Sequence, residues 1–325
     1  MTERGLCAVV LAAGAGTRLR PLTELRPKAL CPVGNVPLLD HALARLATLG
    51  LAGPEHVAVN AHHHAEQIAA AVVGRARLSV EQPEALGTAG AVAALEAWVA
   101  GRDVLIVNAD AYLAGPLPGD FVAGWSGDHP RLLVVDAGDR RRDFDRWRFA
   151  GVSLLPAAAA ARLRPEPTGL YEVVWRDAWA AGELELSPFD GVFVDCGTPA
   201  DYLAANLHAR TVQPAAADTA RALAPATEDH ATAEGVVPGA DGQGTAEAFA
   251  PSIDAGATVT GEVVESVVGA GATVTGEAVE SVVGAGAVVA GRIVRCVVWP
   301  GARVETHEAL SDAIRADHGL TVPAT

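Results

Sequence analysis

The run LCAVVLAAGAGTRLRPLTELRPKALCPVGNVPLL, Leu6–Leu39, carries the strongest structural signal in the chain. Its first six residues are apolar without alternation, which is how a strand buried on both faces reads. The run ends in Ala12-Ala13-Gly14-Ala15-Gly16. Two glycines there let backbone N–H groups turn toward an anion with no Cβ in the way. Thr17 and Arg18 follow directly, and Pro27-Lys28 closes the loop. No Gly-Lys-Ser/Thr stands at P-loop spacing, and Leu19 takes the place of the third glycine of a dinucleotide fingerprint. Taken alone, a GxG after a strand is also compatible with a plain turn.

Outward from this loop, short apolar runs recur. Leu6–Leu11, His56–Asn60, Leu78–Glu81, Asp103–Asn108, Arg131–Val135 and Val192–Asp195 read as strands. Helical patterns fall between several of them, at Leu38–Leu49, Ala65–Val73, Thr88–Val99 and Pro199–Ala209. Such alternation predicts an α/β fold, a Rossmann-like mostly parallel sheet covered on both faces, over residues 1–212. Thr198-Pro199 is a helix start, with Thr198 as N-cap and proline at the first helical position.

Residues 213–250 are rich in Ala, Gly, Pro, Thr and Asp, lack periodicity, and read as a linker. From 251 to 325 a repeat of 15 residues takes over: VTGEVVESVVGAGAT (Val259–Thr273), VTGEAVESVVGAGAV (Val274–Val288) and VAGRIVRCVVWPGAR (Val289–Arg303). A partial copy precedes it at Ser252–Thr258. Valines at regular spacing with glycines between them suit a solenoid in which each coil stacks on the last. The pattern resembles the left-handed β-helix of hexapeptide-repeat proteins, and Asp312–His318 reads as a short closing helix.

Composition narrows the function. The 325 residues carry a formal charge of −15, which argues against coating nucleic acid or anionic membranes. No run approaches the length of a membrane span, and Arg4 followed by Gly5–Ala15 is too short for a signal peptide. Four scattered cysteines without a CxxC pair fit a reduced, cytoplasmic protein. Among 24 lysines and arginines, Lys28 is the only lysine. In so arginine-biased a chain, a retained lysine is a candidate for a place where a guanidinium does not fit, a chance survivor on the surface being the alternative.

The segment Leu11–Leu39, together with GTAGA at Gly87–Ala91, Asp110 at a strand end and DCGTPADY at Asp195–Tyr202, resembles the sugar-nucleotide pyrophosphorylases. These nucleotidyltransferases join a nucleoside triphosphate to a sugar 1-phosphate, and several branches carry a C-terminal left-handed β-helix. The resemblance covers roughly residues 5–210. It implies that Gly14, Gly16, Thr17, Arg18 and Lys28 hold the triphosphate, with Arg18 and Lys28 catalytic and Ala13 also nucleotide-binding. Transfers of this kind rely on positioning and charge neutralisation and need no protein nucleophile.

The resemblance further implies that Asp110 and Asp195 hold one Mg²⁺, although a lone strand-end aspartate serves equally as a cap. Gln82, Gly87 and Thr88 are the expected base-reading segment, with helix capping the plainer role for Thr88. Ala13 favours UTP over GTP. Gly151 and Glu172 are the expected sugar contacts, a surface carboxylate being the alternative for Glu172. A second lysine for the acceptor phosphate is impossible here, so an arginine among Arg140–Arg142 or Arg148 is expected to replace it. His62-His63-His64 reads as an exposed loop, because adjacent side chains do not converge on one ion. No histidine lies between Val259 and Val304, and His307 and His318 fall beyond the repeat. That argues for a structural or homo-oligomerising β-helix and against a bifunctional enzyme with an acyltransferase there. The remaining rival is a catalytically inactive subunit that senses a sugar nucleotide.

Overall fold

The computed structural model describes residues 5–212 and 250–324, so the linker expected over 213–250 lies outside the described residues apart from Ala250. Strand β1 (Leu6–Leu11) is followed by a 3-10 turn at Thr17–Leu19, α1 (Leu22–Leu25) and a second 3-10 turn at Lys28–Leu30. The hairpin β2 (Pro32–Val33) and β3 (Val36–Pro37) leads into α2 (Leu38–Thr48). Then come β4 (Val57–Ala61), α3 (Ala65–Val72), β5 (Arg77–Val80), α4 (Gly87–Ala93), α5 (Glu96–Val99), β6 (Asp103–Asn108) and β7 (Ala111–Ala114). The second half holds α6 (Asp120–Ala123), β8 (Arg131–Asp136), β9 (Trp147–Leu155), α7 (Ala157–Ala160), α8 (Arg176–Ala181), β10 (Glu185–Pro188), β11 (Val192–Asp195) and α9 (Pro199–Val212).

The main sheet has seven strands in the order β10-β8-β9-β6-β1-β4-β5. All neighbours pair in parallel except β9, which runs antiparallel to both β6 and β8. Alternate residues of one strand serve opposite layers. Ala8 and Val10 pack with Leu39, Leu46 and Ile68, whereas Cys7 and Val9 pack with Ala89, Val92 and Val99. Burial on both faces is why the β1 run shows no polar alternation. The architecture is the expected Rossmann-like one, with several differences in detail. The helix expected over Thr88–Val99 is two short ones, broken at Ala94-Leu95. Among the main-sheet strands, β9 and β10 were not expected. β11 lies outside the main sheet, pairing antiparallel with β7 so that Asp195 stands opposite Ala111.

The repeats form stacked coils whose strands pair in parallel, one repeat apart. Val259, Val274, Val289 and Val304 make one column, and Val267, Val282 and Val297 another. Val274, Val282 and Val289 are fully buried. The closing helix expected at Asp312–His318 is instead a strand, Ala309–Arg315, with only a 3-10 turn at Asp317–Gly319. Strand pairing wins because it sets Ile314 beside Val297 and extends the buried column by a further coil.

Helix α9 ties the two parts together. Thr198 caps it as expected, its Oγ1 accepting from the Asp201 N–H at 3.1 Å. The helix buries Tyr202, Leu203, Ala205 and Ala209 in an apolar cluster running from Leu19, Leu22 and Val33 to Val298 and Trp299 of the β-helix. No helix among the described residues is long and apolar enough to cross a membrane.

Candidate functional site

The site lies beyond the carboxyl ends of β1, β4 and β6, where open α/β sheets gather ligands. A cleft of about 200 Å³ is lined by Ala12, Ala13, Gly14, Gly16, Lys28, Asn60, Gly87, Thr88, Asn108 and Asp110, among others. Six residues singled out in the sequence for phosphate, base or metal thus share one cavity with Lys28.

The glycines in it do different jobs. A Cβ on Gly14 would meet nothing within 4 Å, so its backbone faces open space. Gly16 instead has φ +58, and a Cβ there would meet Thr23 Cγ2 at 2.7 Å, so it lets the loop fold onto itself. Gly87 is required by the chain rather than by any ligand, since a Cβ would strike the Thr168 backbone, whose carbonyl accepts from Ala89 N at 3.0 Å. Thr88 does not cap its helix. Its hydroxyl accepts from Leu170 N at 2.8 Å and so holds the 168–170 segment against α4.

Lys28 is buried, and its Nζ lies 3.1 Å from Asp110 Oδ2 and 3.2 Å from Asp195 Oδ1. The β7–β11 ribbon makes this possible, because it carries both carboxylates to the same end. Burial alone would lower the Lys28 pKa, but Asp110 and Asp195 outweigh it and hold the ammonium above its ordinary value. Burial likewise works to raise Asp195, yet Lys28, Arg18 and Arg148 prevail and push it down. Arg18 Nη2 is 3.5 Å and Arg148 Nη2 3.3 Å from Asp195 Oδ2. Three cations around two carboxylates leave the mouth of the cleft net positive, which suits a polyanion.

Both carboxylates aim at the point that Nζ now holds. Two hard oxygen donors fit Mg²⁺, which keeps waters and takes phosphate oxygens in its remaining positions. Among the described residues no group of three or more His, Cys, Asp or Glu converges. The donor set therefore fits an ion shared with substrate rather than one caged by protein alone.

Other expected residues fall further out. Thr17 and Arg18 are exposed at the loop's rim. Gln82 is exposed and does not line the cleft; Ala85 stands there instead. Gly151, at φ +79, packs against Asn108 and Ala111, next to Asp110. Glu172 is exposed at the start of the π-helical turn Tyr171–Trp175, its carboxylate lying over Gly169. Arg140 pairs with Asp201 at 3.0 Å and Arg141 with Asp143 at 3.6 Å, so Arg148 alone of the four candidate arginines reaches the Lys28 cluster. His62 Nδ1 is 3.0 Å from the Glu81 carbonyl and His63 Nε2 2.9 Å from that of Thr23, so neighbouring rings brace two different segments.

The sequence reading missed a buried strut. Asn60 Oδ1 accepts from Ala12 N at 2.6 Å, while its Nδ2 donates to Glu81 Oε1 at 2.7 Å. Glu81 Oε2 accepts from Leu86 N at 2.7 Å. Two side chains thereby fix the phosphate loop relative to the segment before Gly87. Nothing local in the sequence marks the pair, since β5 already carries Arg77 and Ser79 and Glu81 lies just past its end.

Residues 7–119 match a protein-family model described as nucleotidyl transferase. N-acetylmuramate alpha-1-phosphate uridylyltransferase of Caulobacter vibrioides is 29% identical over 238 residues, 63% of this chain and 97% of that protein. A mannose-1-phosphate guanyltransferase of Aspergillus fumigatus is 27% identical over 60% of this chain, and this chain spans 62% of that relative's length. Among solved structures, a putative glucose-1-phosphate thymidylyltransferase from Bacillus anthracis superposes with a TM-score of 0.54 at 19% identity, covering 64% of this chain and 97% of its own. That likeness is one of fold. The likeness to nucleotidyl transferases lies in the N-terminal region, which carries the glycine loop and Lys28.

Proposed function

We propose that this chain moves a nucleotidyl group from a nucleoside triphosphate to a sugar 1-phosphate, releasing pyrophosphate and an NDP-sugar with Mg²⁺ as cofactor. The observation that carries the reading is a buried, solitary lysine held between two carboxylates at the mouth of a glycine-floored cleft. The relatives support it, since those named above all act on sugar 1-phosphates.

In this reading the triphosphate lies along the Gly14 backbone, with Thr17 and Arg18 over its outer phosphates. The base lies toward Ala85, Gly87 and Thr88, and Gln82 would have to turn in from the surface to read it. The sugar phosphate enters beside Gly151 and meets Arg148, and Glu172 borders the sugar only if its turn closes. A phosphate oxygen of the sugar attacks the α-phosphorus. One P–O bond forms while the bond to the bridging oxygen breaks, and pyrophosphate leaves toward Arg18. Lys28 leaves its carboxylates to follow that charge as a compact, mobile ammonium. A divalent ion bound by Asp110 and Asp195 would supply charge neutralisation at the phosphates. Ala13 favours UTP as the donor, while the relatives include both uridylyl- and guanylyltransferases.

Pyrophosphate release from a panel of triphosphates with hexose and amino-sugar 1-phosphates tests the reading. Turnover that requires both substrates and Mg²⁺ is the expected result. Tight binding of an NDP-sugar with no turnover from any pair would favour a sensor subunit instead.

A further inference from the structure

The segment carrying Lys28 is anchored from both sides, and much of the anchorage comes from the β-helix. On its amino-terminal side, His63 and Gln67 hold the carbonyls of Thr23 and Leu25. The next residue, Arg26, reaches across to the β-helix. Its guanidinium lies 4.1 Å over the Trp299 ring, and its Nη2 is 2.7 Å from Asp317 Oδ2. Trp299 is fully buried, and its Nε1 donates at 3.0 Å to the Tyr202 hydroxyl, which in turn donates to the Pro32 carbonyl. On the carboxyl-terminal side, Asn206 Oδ1 accepts from Gly34 N at 3.0 Å, and Asn35 Nδ2 donates to the Val283 carbonyl at 3.0 Å. Residues 26 and 32–35 are thus pinned to the β-helix or to α9, and Lys28 lies in the short span between them.

We infer that Arg26 is a positioning residue, and that through Trp299 and Asp317 the β-helix fixes where Lys28 stands relative to Asp110 and Asp195. A guanidinium stacked on a buried indole and paired with a carboxylate has little freedom of direction. Pro27 then joins it to Lys28 with a fixed φ, so slack at Arg26 passes to the backbone from which the lysine side chain springs. The β-helix acts in this way on triphosphate handling, rather than serving only as a spacer or an oligomerising module. The inference rests on the proposed role of Lys28.

Arg26→Ala and Asp317→Ala in the full chain test it. The expected result is a rise in KM for the triphosphate of roughly tenfold, KM for sugar 1-phosphate staying near wild type. Arg295→Ala removes a β-helix ion pair with Asp312 elsewhere and serves as control. A lower Tm with both KM values and kcat unchanged would overturn the inference. So would an equal rise with Arg295→Ala, which would mark a general loosening of the coils. Hydrogen exchange reads the same contact without activity, because Leu30 N and Cys31 N donate to the Pro27 and Lys28 carbonyls at 2.8 and 3.0 Å. Faster exchange at these two amides in Arg26→Ala supports the anchor, and unchanged exchange refutes it. If the wild type turns over no substrate pair, the functional reading falls while the exchange result still judges the anchor.

Discussion

Arg148 is the residue that best separates the two substrates. It shares Asp195 with Lys28 and Arg18, yet it sits on β9, next to the Gly151 side of the cleft. Charge-assisted contacts to phosphate are among the stronger polar interactions. Arg148→Gln is therefore expected to raise KM for sugar 1-phosphate by roughly tenfold while sparing KM for the triphosphate. A rise confined to the triphosphate would assign Arg148 to the other half of the site. Much of this residue set was legible in the sequence. Lys28 stood out by rarity, and the loop and two aspartates by pattern. Asn60, Glu81 and Arg26 were not legible, because each acts through a partner 21 to 291 residues away. Nothing local distinguishes such a residue from any other polar side chain.

Among the elements, those that bury a run on both faces were the readable ones. β1 and β6 fall where the apolar runs fall. β9 was missed because Trp147–Leu155 takes its place from its neighbours, β6 and β8, and its glycine at 151 breaks the strand pattern. The last coil was misread as a helix because its partner column lies a repeat away. Helix α2 carries a pH consequence. His41 is half-buried, its Nε2 3.0 Å from the Val33 carbonyl, and burial holds its pKa below the ordinary 6.5. The unfolded chain then takes up the proton first, so stability is full above about pH 6.5 and falls as the pH drops through it, until the native imidazole also protonates. The slope from this one group is at most ~1.4 kcal/mol per pH unit. Urea unfolding of wild type and His41→Gln between about pH 7.5 and 5.5 checks this, the variant being expected to lose less stability on acidification. Equal slopes would show that His41 does not titrate between the two states.

For the whole molecule, composition and repeat gave two folded regions with a linker between them, and the structure gives the packing that joins the two. The cluster running from Leu19 and Leu22 through α9 to Trp299 makes independent unfolding costly, since separation would expose both apolar faces at once. Calorimetry is expected to show one cooperative transition, and two resolved transitions would contradict a shared core. The same continuity carries the functional claim, because the β-helix, α9 and the main sheet all converge on the segment that holds Lys28. Its ammonium sits within 3.2 Å of two carboxylates in a buried span, and a forked, planar guanidinium does not reproduce that compact point charge. The most direct measurement is kcat/KM of Lys28→Arg, taken with the best substrate pair on a variant whose Tm matches wild type. A loss of about 100-fold or more, some 2.7 kcal/mol of transition-state stabilisation, is the predicted result. Wild-type turnover by Lys28→Arg would contradict the claim that this lysine carries the transfer.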